Sequence, residues 1–309
     1  MLQTPIIILC GAISPEREVS LRSGAACLSA LRETFRDVQL HVLDSNELPP
    51  FLDPLRHVVF PLIHGDYGEN GGIQHDLAAR GIEFAGSTAS ASRLCMDKVE
   101  TKKKLKETHL PVAPDFTFYA TDKPTPAALA SALGTTDIVL KPAASGSSIG
   151  VHFVSNIDEI TAALAKITQG KWMAEPRLRG REMTIGIIQD KAAGIVEIIP
   201  ADGRYDFATK YTSGSANYLF PAKINASTES EITRATEHAY HACSCRDFAR
   251  LDFILHEDDS YTFLEINTIP GLTETSLLPK SALCHGISFP ALCARMISPA
   301  ITRFTQQNR

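Results

Sequence analysis

Strand and helix signals alternate along residues 1–90, and this alternation excludes more fold classes than any other feature of the sequence. An apolar run at 5–9 predicts a strand, and the apolar spacing after Ser14 and Pro15 predicts a helix over 18–33. Similar patterns predict strands at 40–43, 57–63 and 82–85 and a helix at 72–80. Strands separated by helices form parallel sheets with sites at the carboxyl ends of the strands. We therefore predict an N-terminal Rossmann-like α/β domain.

Two further units are predicted after a change in composition at 87–90. The first is a small central domain over 91–180, with a charged helix at 97–107 and strands at 115–118, 138–141, 151–154 and 172–175. The second is a larger C-terminal mixed-sheet domain over 181–309, with strands at 183–188, 194–199, 249–255 and 261–266. The segment 202–221 lacks clear periodicity, and a loop of that length is uncommon unless it is a lid or a binding loop. The fold class is therefore α/β, with α+β character in parts.

Composition limits the partners that the chain could bind. A formal net charge of -5, with 44% hydrophobic and 21% charged residues, is typical of a soluble globular protein with ample core. The lysines and arginines are dispersed, so we expect no large nucleic-acid surface, although a local phosphate pocket stays open. The basic run 102–104 is interpreted as one solvated turn of a helix.

The cysteines and the apolar runs indicate the cellular compartment in which the protein is expected. Seven cysteines, an odd number scattered along the chain, favour reduced thiols in the cytoplasm over a disulfide scaffold. The N-terminal apolar run is short and has no basic segment before it, so it predicts a strand rather than a signal peptide. No run reaches the about 18 consecutive apolar residues of a membrane span, so we expect no membrane segment. His238, His241, Cys243 and Cys245 crowd together without zinc-ligand spacing, and we interpret them as a packed helix.

A predicted hairpin over 249–266, with its turn near Asp258, gathers polar side chains on one face because strand residues alternate. One face carries Arg250, Asp252, Glu265 and Asn267, and the other carries Leu251, Phe253, Leu264 and Ile266.

In this hairpin Asp252 falls opposite Glu265, and Arg250 falls roughly opposite Asn267. Like charges directly opposite each other are destabilising unless a cation lies between them. Two carboxylates and an amide form a hard-oxygen site of the kind that holds magnesium bridged to nucleotide phosphates. The alternative is an edge strand whose polar face meets water.

Three loops offer further polar groups. Residues 145–150 follow Lys141 and can wrap phosphates with backbone N–H groups, although most such loops are simple hairpin turns. Residues 64–72 stand between a strand and a helix, which suits substrate contacts, or their glycines serve tight turning alone. Glu16 follows the first strand and could meet an ammonium group; the alternative is a carboxylate favoured near a helix N-terminus.

Taken together, these motifs resemble the D-alanine–D-alanine ligases of the ATP-grasp superfamily, nearly end to end. They are SPEREVS at 14–20, LIHG at 62–65, MDK at 96–98, LKP at 140–142, GSSIG at 146–150, YDFATKY at 205–211, RLD at 250–252, EINTIPG at 265–271 and SL at 276–277. Each motif is modest alone, and their joint order and spacing is specific.

The resemblance implies an ATP-grasp fold and an ATP-dependent ligase. The enzyme would join two D-alanines into D-alanyl-D-alanine through an acyl phosphate, giving ADP and phosphate, for peptidoglycan precursor synthesis. ATP and two Mg²⁺ ions, with Mn²⁺ as a substitute, are the implied cofactors. The implied nucleotide-binding residues are Lys98, Lys141, Ser147, Ser148, Glu175, Pro176, Arg177, Leu178, Glu182, Lys210 and Glu265, and the implied metal ligands are Asp252, Glu265 and Asn267.

The same resemblance assigns residues to the two D-alanines. The implied catalytic residues are Glu16, Ser147, Tyr211, Arg250, Gly271 and Ser276, and the implied substrate-binding residues are Glu16, His64, Arg250, Gly271, Ser276 and Leu277. Glu16 would pair with the first ammonium group, and Arg250 with the N–H of Gly271 would stabilise the oxyanion. A homodimer is also implied, with neither nucleic acid nor membrane as a partner.

Two alternatives stay open. One is another carboxylate–amine or carboxylate–hydroxy-acid ligase on the same frame. The other is a nucleotide-binding module that kept the fold and lost the chemistry. Tyr211 resembles the dipeptide-forming enzymes rather than the depsipeptide-forming relatives, which often have His there.

Overall fold

The first sheet lies at the N-terminal end of the chain, within a computed structural model that describes residues 4–146, 149–200, 216–273 and 276–308. Its strands are β1 (Ile6–Gly11), β2 (Val38–Leu43), β3 (Val58–Pro61) and β4 (Glu83–Phe84), and its helices are α1 (Arg17–Arg32), α2 (Asp66–Glu69), α3 (Gly72–Ala79) and α4 (Ala89–Met96). All four strands are parallel, in the order β2-β1-β3-β4. Every residue of β1 is buried, as expected where helices cover both faces of a parallel sheet. The predicted alternation of strand and helix is confirmed.

The second sheet is antiparallel and has the order β5-β8-β6-β7. Its elements are α5 (Lys98–Glu107), β5 (Phe116–Tyr119), α6 (Pro126–Leu133), β6 (Ile138–Pro142), β7 (His152–Val154), α7 (Ile157–Lys166) and β8 (Lys171–Pro176). The predicted strands and the helix α5 are confirmed, whereas α6 and α7 were not predicted. Thr125 and Asn156 cap these two helices with their side-chain oxygens, so a capping signal was present for each.

The third sheet forms the C-terminal part of the fold, in the order β11-β10-β9-β12-β13. Its strands are β9 (Arg181–Ile188), β10 (Lys191–Pro200), β11 (Ala216–Leu219), β12 (Phe248–Leu255) and β13 (Tyr261–Asn267), and the helices are α8 (Ala226–Ala242), α9 (Leu277–Leu283) and α10 (Phe289–Gln307). These strands pair antiparallel, and a parallel bridge joins Val112 to Phe263 at the β13 edge. The five described strands therefore form an antiparallel sheet rather than the predicted mixed one, because short turns such as those between β9 and β10 and between β12 and β13 join antiparallel neighbours.

One part of the predicted loop 202–221 is a strand. Its residues 216–219 form β11, which pairs with β10 from Pro200↔Ala216 to Glu197↔Leu219. The pairing partner is supplied by the tertiary fold, so a segment with no periodicity of its own becomes ordered as an edge strand. Residues 202–215 lie outside the described residues.

The core links the C-terminal helix to the first sheet. Residues of β1, β3, α1 and α10 share one apolar cluster, and Phe248 at the start of β12 packs on Phe60 of β3, with ring centroids 6.0 Å apart. This packing sets the first sheet directly against the base of the third sheet. The domain boundaries at 90 and 180 stay predictions.

Two further predictions concern the cysteines and membrane-spanning segments. All seven cysteines are free thiols. His238 and His241 are exposed on α8, whereas Cys243 and Cys245 are buried beyond its end, so the four side chains do not converge. Within the described ranges, no helix combines the length and the apolar character needed to cross a membrane.

Candidate active site

The polar hairpin forms in the predicted register. β12 and β13 pair with Arg250 opposite Asn267 and with Asp252 opposite Glu265. Strict alternation had placed these four side chains on one face, and the pairing confirms that they lie across from one another.

The opposite face of the hairpin differs from the prediction at Leu264. A register shift after Asp252 pairs Phe253 with Phe263, so β13 carries one extra residue at this point. Phe263 therefore packs in the core with Leu251, Phe253 and Ile266, while Leu264 lines a cavity on the other side. Assigning Leu264 to the core face was wrong, because a bulge shifts the alternation by one residue.

The predicted metal site depends on the side-chain oxygen atoms of this hairpin. The Asp252 carboxylate accepts hydrogen bonds from Nε and Nη2 of Arg250 at 2.9 and 2.8 Å and from Thr184 Oγ1 at 2.5 Å. Glu265 Oε2 lies 3.3 Å from Lys98 Nζ, and Asn267 Oδ1 accepts the N–H of Ile269 at 2.9 Å.

Two carboxylates and an amide oxygen fit a hard cation such as Mg²⁺. Within the described ranges, no group of three or more His, Cys, Asp or Glu side chains is placed to hold a metal ion. A cation between Asp252 and Glu265 would therefore complete its shell with the Asn267 amide and with oxygens of a bound ligand or water. A nucleotide is a ligand of this kind, because its phosphates carry anionic oxygens.

A cavity of about 300 Å³ lies between the second and third sheets. Its lining includes eight of the residues implied for the nucleotide, namely Lys98, Lys141, Glu175, Pro176, Arg177, Leu178, Glu182 and Glu265. Apolar side chains such as Val139, Met183 and Leu264 line the rest, a composition that suits an aromatic base. Asp252 and Glu265 also line this cavity, so the expected metal site opens into it. Ser147, Ser148 and Lys210 lie outside the described residues.

A buried carboxylate with two lysines stabilises one wall of this cavity. Lys102 Nζ lies 2.8 Å from Glu175 Oε2, and Lys141 Nζ contacts Glu175 Oε1. Burial opposes ionisation of Glu175, but the charges of Lys141 and Lys102 outweigh it and lower the pKa of its carboxyl group. Lys102 also lies 3.6 Å from Asp115.

Interpreting Lys102 as part of a solvated turn was wrong, because it is only 3% exposed. It stands four residues after Lys98 on α5, and residues four apart share one helix face. That spacing, rather than the basic run itself, was the signal in the sequence. Lys98 lies on the same helix face, and its Nζ donates a hydrogen bond to the Ser145 carbonyl oxygen at 2.6 Å.

We expect Lys102→Met to lower the free energy of unfolding by about 3 kcal/mol at neutral pH, because one partner of a buried ion pair is removed. The lowered pKa of Glu175 means that its ion pairs stabilise the fold above the ordinary value of 4.5 and are lost as the pH falls through the folded-state pKa. The difference between the variant and the wild type should therefore shrink in acid. Urea unfolding as a function of pH measures it.

Lys104→Met is the matched control for this prediction. The Lys104 side chain is 41% exposed and lies 3.8 Å from Glu107, and surface pairs of this kind contribute within about 1 kcal/mol. An equal loss of stability in the two variants would contradict the role of Lys102.

The residues expected to hold the first substrate converge beside the carboxyl end of the first sheet. Glu16, at the start of α1, is 4% exposed and His64 is 3% exposed. A Cβ atom on Gly146 would lie 3.0 Å from Glu69 Oε2 and 3.9 Å from Glu16 Oε2. The loop after Lys141 therefore reaches the N-terminal carboxylates, and glycine at 146 permits that close approach.

Glu69 is a buried carboxylate that the sequence had not singled out for a role. Its Oε1 lies 3.4 Å from His64 Nδ1, and His64 Nε2 lies 3.4 Å from Ser23 Oγ. Burial raises the pKa of Glu69, His64 lowers it, and the charges of Glu16 and Glu265 raise it further, with a net increase. Glu265 contributes least to this increase, which is consistent with its carboxylate standing on the same side of the fold as Glu16 and Glu69.

The raised pKa of Glu69 predicts a specific pH dependence of stability. A carboxyl group whose folded-state pKa is raised stabilises the fold most below its ordinary value of 4.5, and that contribution is lost as the pH rises through the folded-state pKa. We expect wild-type stability to fall relative to Glu69→Gln as the pH rises above 4.5, as measured by urea unfolding. Glu33→Gln, at an exposed position, should show no such trend. A pH-independent difference between wild type and Glu69→Gln would contradict this reading.

The segment expected to hold the oxyanion and the second substrate lies in the chain between β13 and α9. A Cβ atom on Gly271 would lie 3.1 Å from Ser276 Oγ, and Ser276 Oγ accepts the N–H of Thr273 at 3.1 Å. The N–H of Leu272 donates to Ser23 Oγ at 3.3 Å, which joins this segment to the His64 contacts. The Leu277 side chain is buried, so a substrate carboxylate could meet only its backbone N–H, in the first turn of α9. Tyr211 lies outside the described residues.

Comparison with known proteins agrees with this geometry. Residues 105–298 match a family described as the D-ala D-ala ligase C-terminus. A D-alanine–D-alanine ligase from Anaeromyxobacter dehalogenans is 38% identical over 303 residues, which cover 96% of each chain. A Bacillus anthracis D-alanine–D-alanine ligase complexed with ATP superimposes with a TM-score of 0.83 at 25% identity, over 98% of this chain and 99% of that one. A D-Ala:D-Ser ligase from Enterococcus faecalis superimposes with a TM-score of 0.84 at 26% identity, over 97% of this chain and 100% of that one.

The parallel sheet, the two further sheets and the charged cavity between them define an ATP-grasp enzyme. Sequence similarity over nearly the whole length then narrows the class. The chain belongs to the D-alanine–D-alanine ligase family.

Proposed function

We propose that this protein is an ATP-dependent ligase that joins two D-alanines into D-alanyl-D-alanine, giving ADP and phosphate, for peptidoglycan precursor synthesis. One observation carries the proposal. The cavity lined by Lys98, Lys141 and Glu175 is lined by Asp252 and Glu265 as well, and Arg250 is bonded to Asp252. A nucleotide in the cavity would direct its terminal phosphate toward the groups that face the first substrate.

The first step transfers a phosphoryl group. A carboxylate oxygen of the first D-alanine attacks the γ-phosphorus of ATP, the bond from that phosphorus to the bridging oxygen breaks, and ADP leaves. Lys98 and Lys141 supply positive charge beside the phosphates, and Glu16 pairs with the ammonium group of the D-alanine, close to His64. Mg²⁺, held by Asp252, Glu265 and Asn267, would neutralise charge that develops on the transferred group.

The second step forms the peptide bond. The amine nitrogen of the second D-alanine attacks the acyl carbon, phosphate leaves with the electron pair of the acyl–oxygen bond, and the nitrogen loses a proton. Arg250 and the N–H of Gly271 would stabilise the oxyanion, a contribution that is typically large. Ser276 and the backbone N–H of Leu277 would receive the carboxylate of the second D-alanine, since both stand at the N-terminus of α9.

Further roles are proposed for residues outside the described ranges, at 147, 148 and 201–215. Ser147, with Tyr211, would hydrogen-bond Glu16 to close the site, Ser148 would contact phosphate, and Lys210 would reach the transferred group. The part of the predicted lid that precedes β11 would exclude water and protect the acyl phosphate from hydrolysis. We also propose a cytoplasmic homodimer, which family membership supports.

The test is phosphate release from ATP with D-alanine against L-alanine. We expect release and dipeptide formation with D-alanine only. The fold match with a D-Ala:D-Ser ligase favours D-serine as a second acceptor to be assayed beside D-lactate. Release with D-alanine plus either acceptor, but not with D-alanine alone, would replace the proposed substrate pair. ATP binding without any turnover would indicate a nucleotide-binding module instead.

A further inference from the structure

A buried ion-pair network joins the first sheet, the third sheet and the C-terminal helix α10. Arg303 of α10 is at its centre. Its Nε donates to Glu83 Oε1 at 2.7 Å, and its Nη1 and Nη2 donate to the Asp247 carboxylate at 2.7 and 2.8 Å. Nη2 also donates to the Phe84 carbonyl oxygen at 3.0 Å. Glu83 and Asp247 are 8% and 4% exposed, so solvent screens these charges weakly.

A second arginine completes what we call the Arg303 network, which consists of Glu83, Arg246, Asp247 and Arg303. Arg246 Nε donates to the Gly86 carbonyl oxygen at 2.6 Å, and its guanidinium group lies 4.8 Å from the centre of the Phe84 ring. Asp247 Oδ2 accepts the N–H of Gly86 at 2.8 Å. Two arginines therefore balance two carboxylates, and these contacts tie β4 and the residues after it to the start of β12.

Each side of the network leads to one half of the proposed D-alanine site. Glu83 and Phe84 form β4, which pairs with β3, and the chain runs from β3 directly to His64. Asp247 immediately precedes β12 and lies three residues before Arg250. Asp247 also has a positive φ of 66°, so its contacts hold the backbone in a conformation that few residues adopt.

We propose that Arg303 and Asp247 are positioning residues that set the spacing between the two halves of the D-alanine site. One half is Glu16 and His64 beside the first sheet, and the other half is Arg250 on β12. This inference rests on the proposed function. Among the described residues, the lining of the nucleotide cavity includes no member of the Arg303 network and no residue of the first sheet. The network therefore bears on the position of the first sheet relative to β12, and thus on D-alanine more than on ATP.

The variant Arg303→Lys keeps the charge and loses the planar fork that bonds Glu83 and Asp247 together. We expect the D-alanine concentration at half-maximal rate to rise roughly fivefold or more, because small misplacements of binding groups weaken substrate positioning strongly. The ATP concentration at half-maximal rate should stay within about twofold of the wild type. A purely structural role would lower only the active fraction, and hence the maximal rate, without moving either value.

Arg181→Lys is the matched control. Arg181 Nε and Nη2 bond the Glu197 carboxylate at 2.9 and 2.6 Å, but both residues belong to the third sheet. The same chemical change there breaks a fork within one sheet and should leave half-saturation by D-alanine unchanged. Glu83→Gln is the second variant of the network. It keeps the shape and the acceptor oxygen of Glu83 and should raise the D-alanine value in the same direction by a smaller factor.

The experiment measures phosphate release for wild type and the three variants over a range of D-alanine and of ATP, with thermal unfolding of each. A rise confined to D-alanine in Arg303→Lys or Glu83→Gln supports the inference. The inference is wrong if both variants keep the wild-type D-alanine concentration at half-maximal rate. It is also wrong if the values for D-alanine and for ATP shift equally. If Arg303→Lys does not fold, Glu83→Gln decides alone. A wild type that does not respond to D-alanine instead refutes the proposed function, so the two failures are distinguishable.

Discussion

Replacing Glu265 with glutamine is expected to slow D-alanine-dependent phosphate release roughly a hundredfold, because the variant loses one of the two anionic ligands proposed for the metal. Glu265 lies directly across the hairpin from Asp252 and 3.3 Å from Lys98. The glutamine side chain keeps the size of the group and removes its charge. The developing charge on the transferred phosphoryl group would then be neutralised less completely.

The same substitution should change stability little. Glutamine gives up the ion pair with Lys98 and relieves repulsion with Asp252, and the Glu265 side chain is 26% exposed. These two effects oppose each other, so we expect the free energy of unfolding to change by less than about 1 kcal/mol. Phosphate release titrated with Mg²⁺, together with urea unfolding, separates the two quantities.

Glu257→Gln is the matched control for Glu265→Gln, because Glu257 stands exposed in the turn of the same hairpin. It should leave both turnover and stability near the wild-type values. Normal turnover of Glu265→Gln at low magnesium would show that the metal assignment is wrong.

Arg250→Lys is expected to lower the rate of dipeptide formation by roughly 10²–10³-fold while nucleotide binding stays near the wild type. Arg250 is 9% exposed, and its fork binds both oxygens of Asp252. Lysine keeps one positive charge but cannot hold Asp252 with two parallel bonds and also face an oxyanion. Both the charge stabilisation and the orientation of Asp252 would suffer.

Two measurements make this prediction specific. Nucleotide affinity by calorimetry should barely change, whereas the maximal rate with D-alanine should fall. Arg181→Lys removes the same kind of fork from Glu197 in the same sheet and should retain the rate. A loss of nucleotide affinity that accounts for the whole effect of Arg250→Lys would contradict an oxyanion role.

Two local rules predict the polar hairpin to within one residue of its register. Residues 249–255 alternate strictly, and the polar turn at 256–260 fixes where the chain reverses. That register, continued from Phe253↔Phe263, would place Asp252 opposite Leu264, and the one-residue bulge in β13 brings Glu265 opposite Asp252 instead. The same logic of local period predicted β1 and α1, whose apolar spacing is strong.

The errors have a common physical cause. Leu264 changed face because of a bulge, and Lys102 became buried because Glu175 comes from a strand some seventy residues away. Strand β11 became ordered by pairing with β10. The partner of Lys102 lies far along the chain, whereas Leu264 and β11 depend on a neighbouring strand. In all three cases the deciding contact lies outside the segment, and the local pattern carries no information about it.

By itself, the sequence determined the succession of elements, the polar face of the hairpin and the family, since these depend on local periodicity and on the order of short motifs. Only the tertiary structure decided which charges are buried together. Burial removes solvent screening, so it turns Lys102, Glu69 and Arg303 from ordinary charged residues into groups whose partners matter. That distinction depends on packing between distant segments, and packing exists only once the chain has folded.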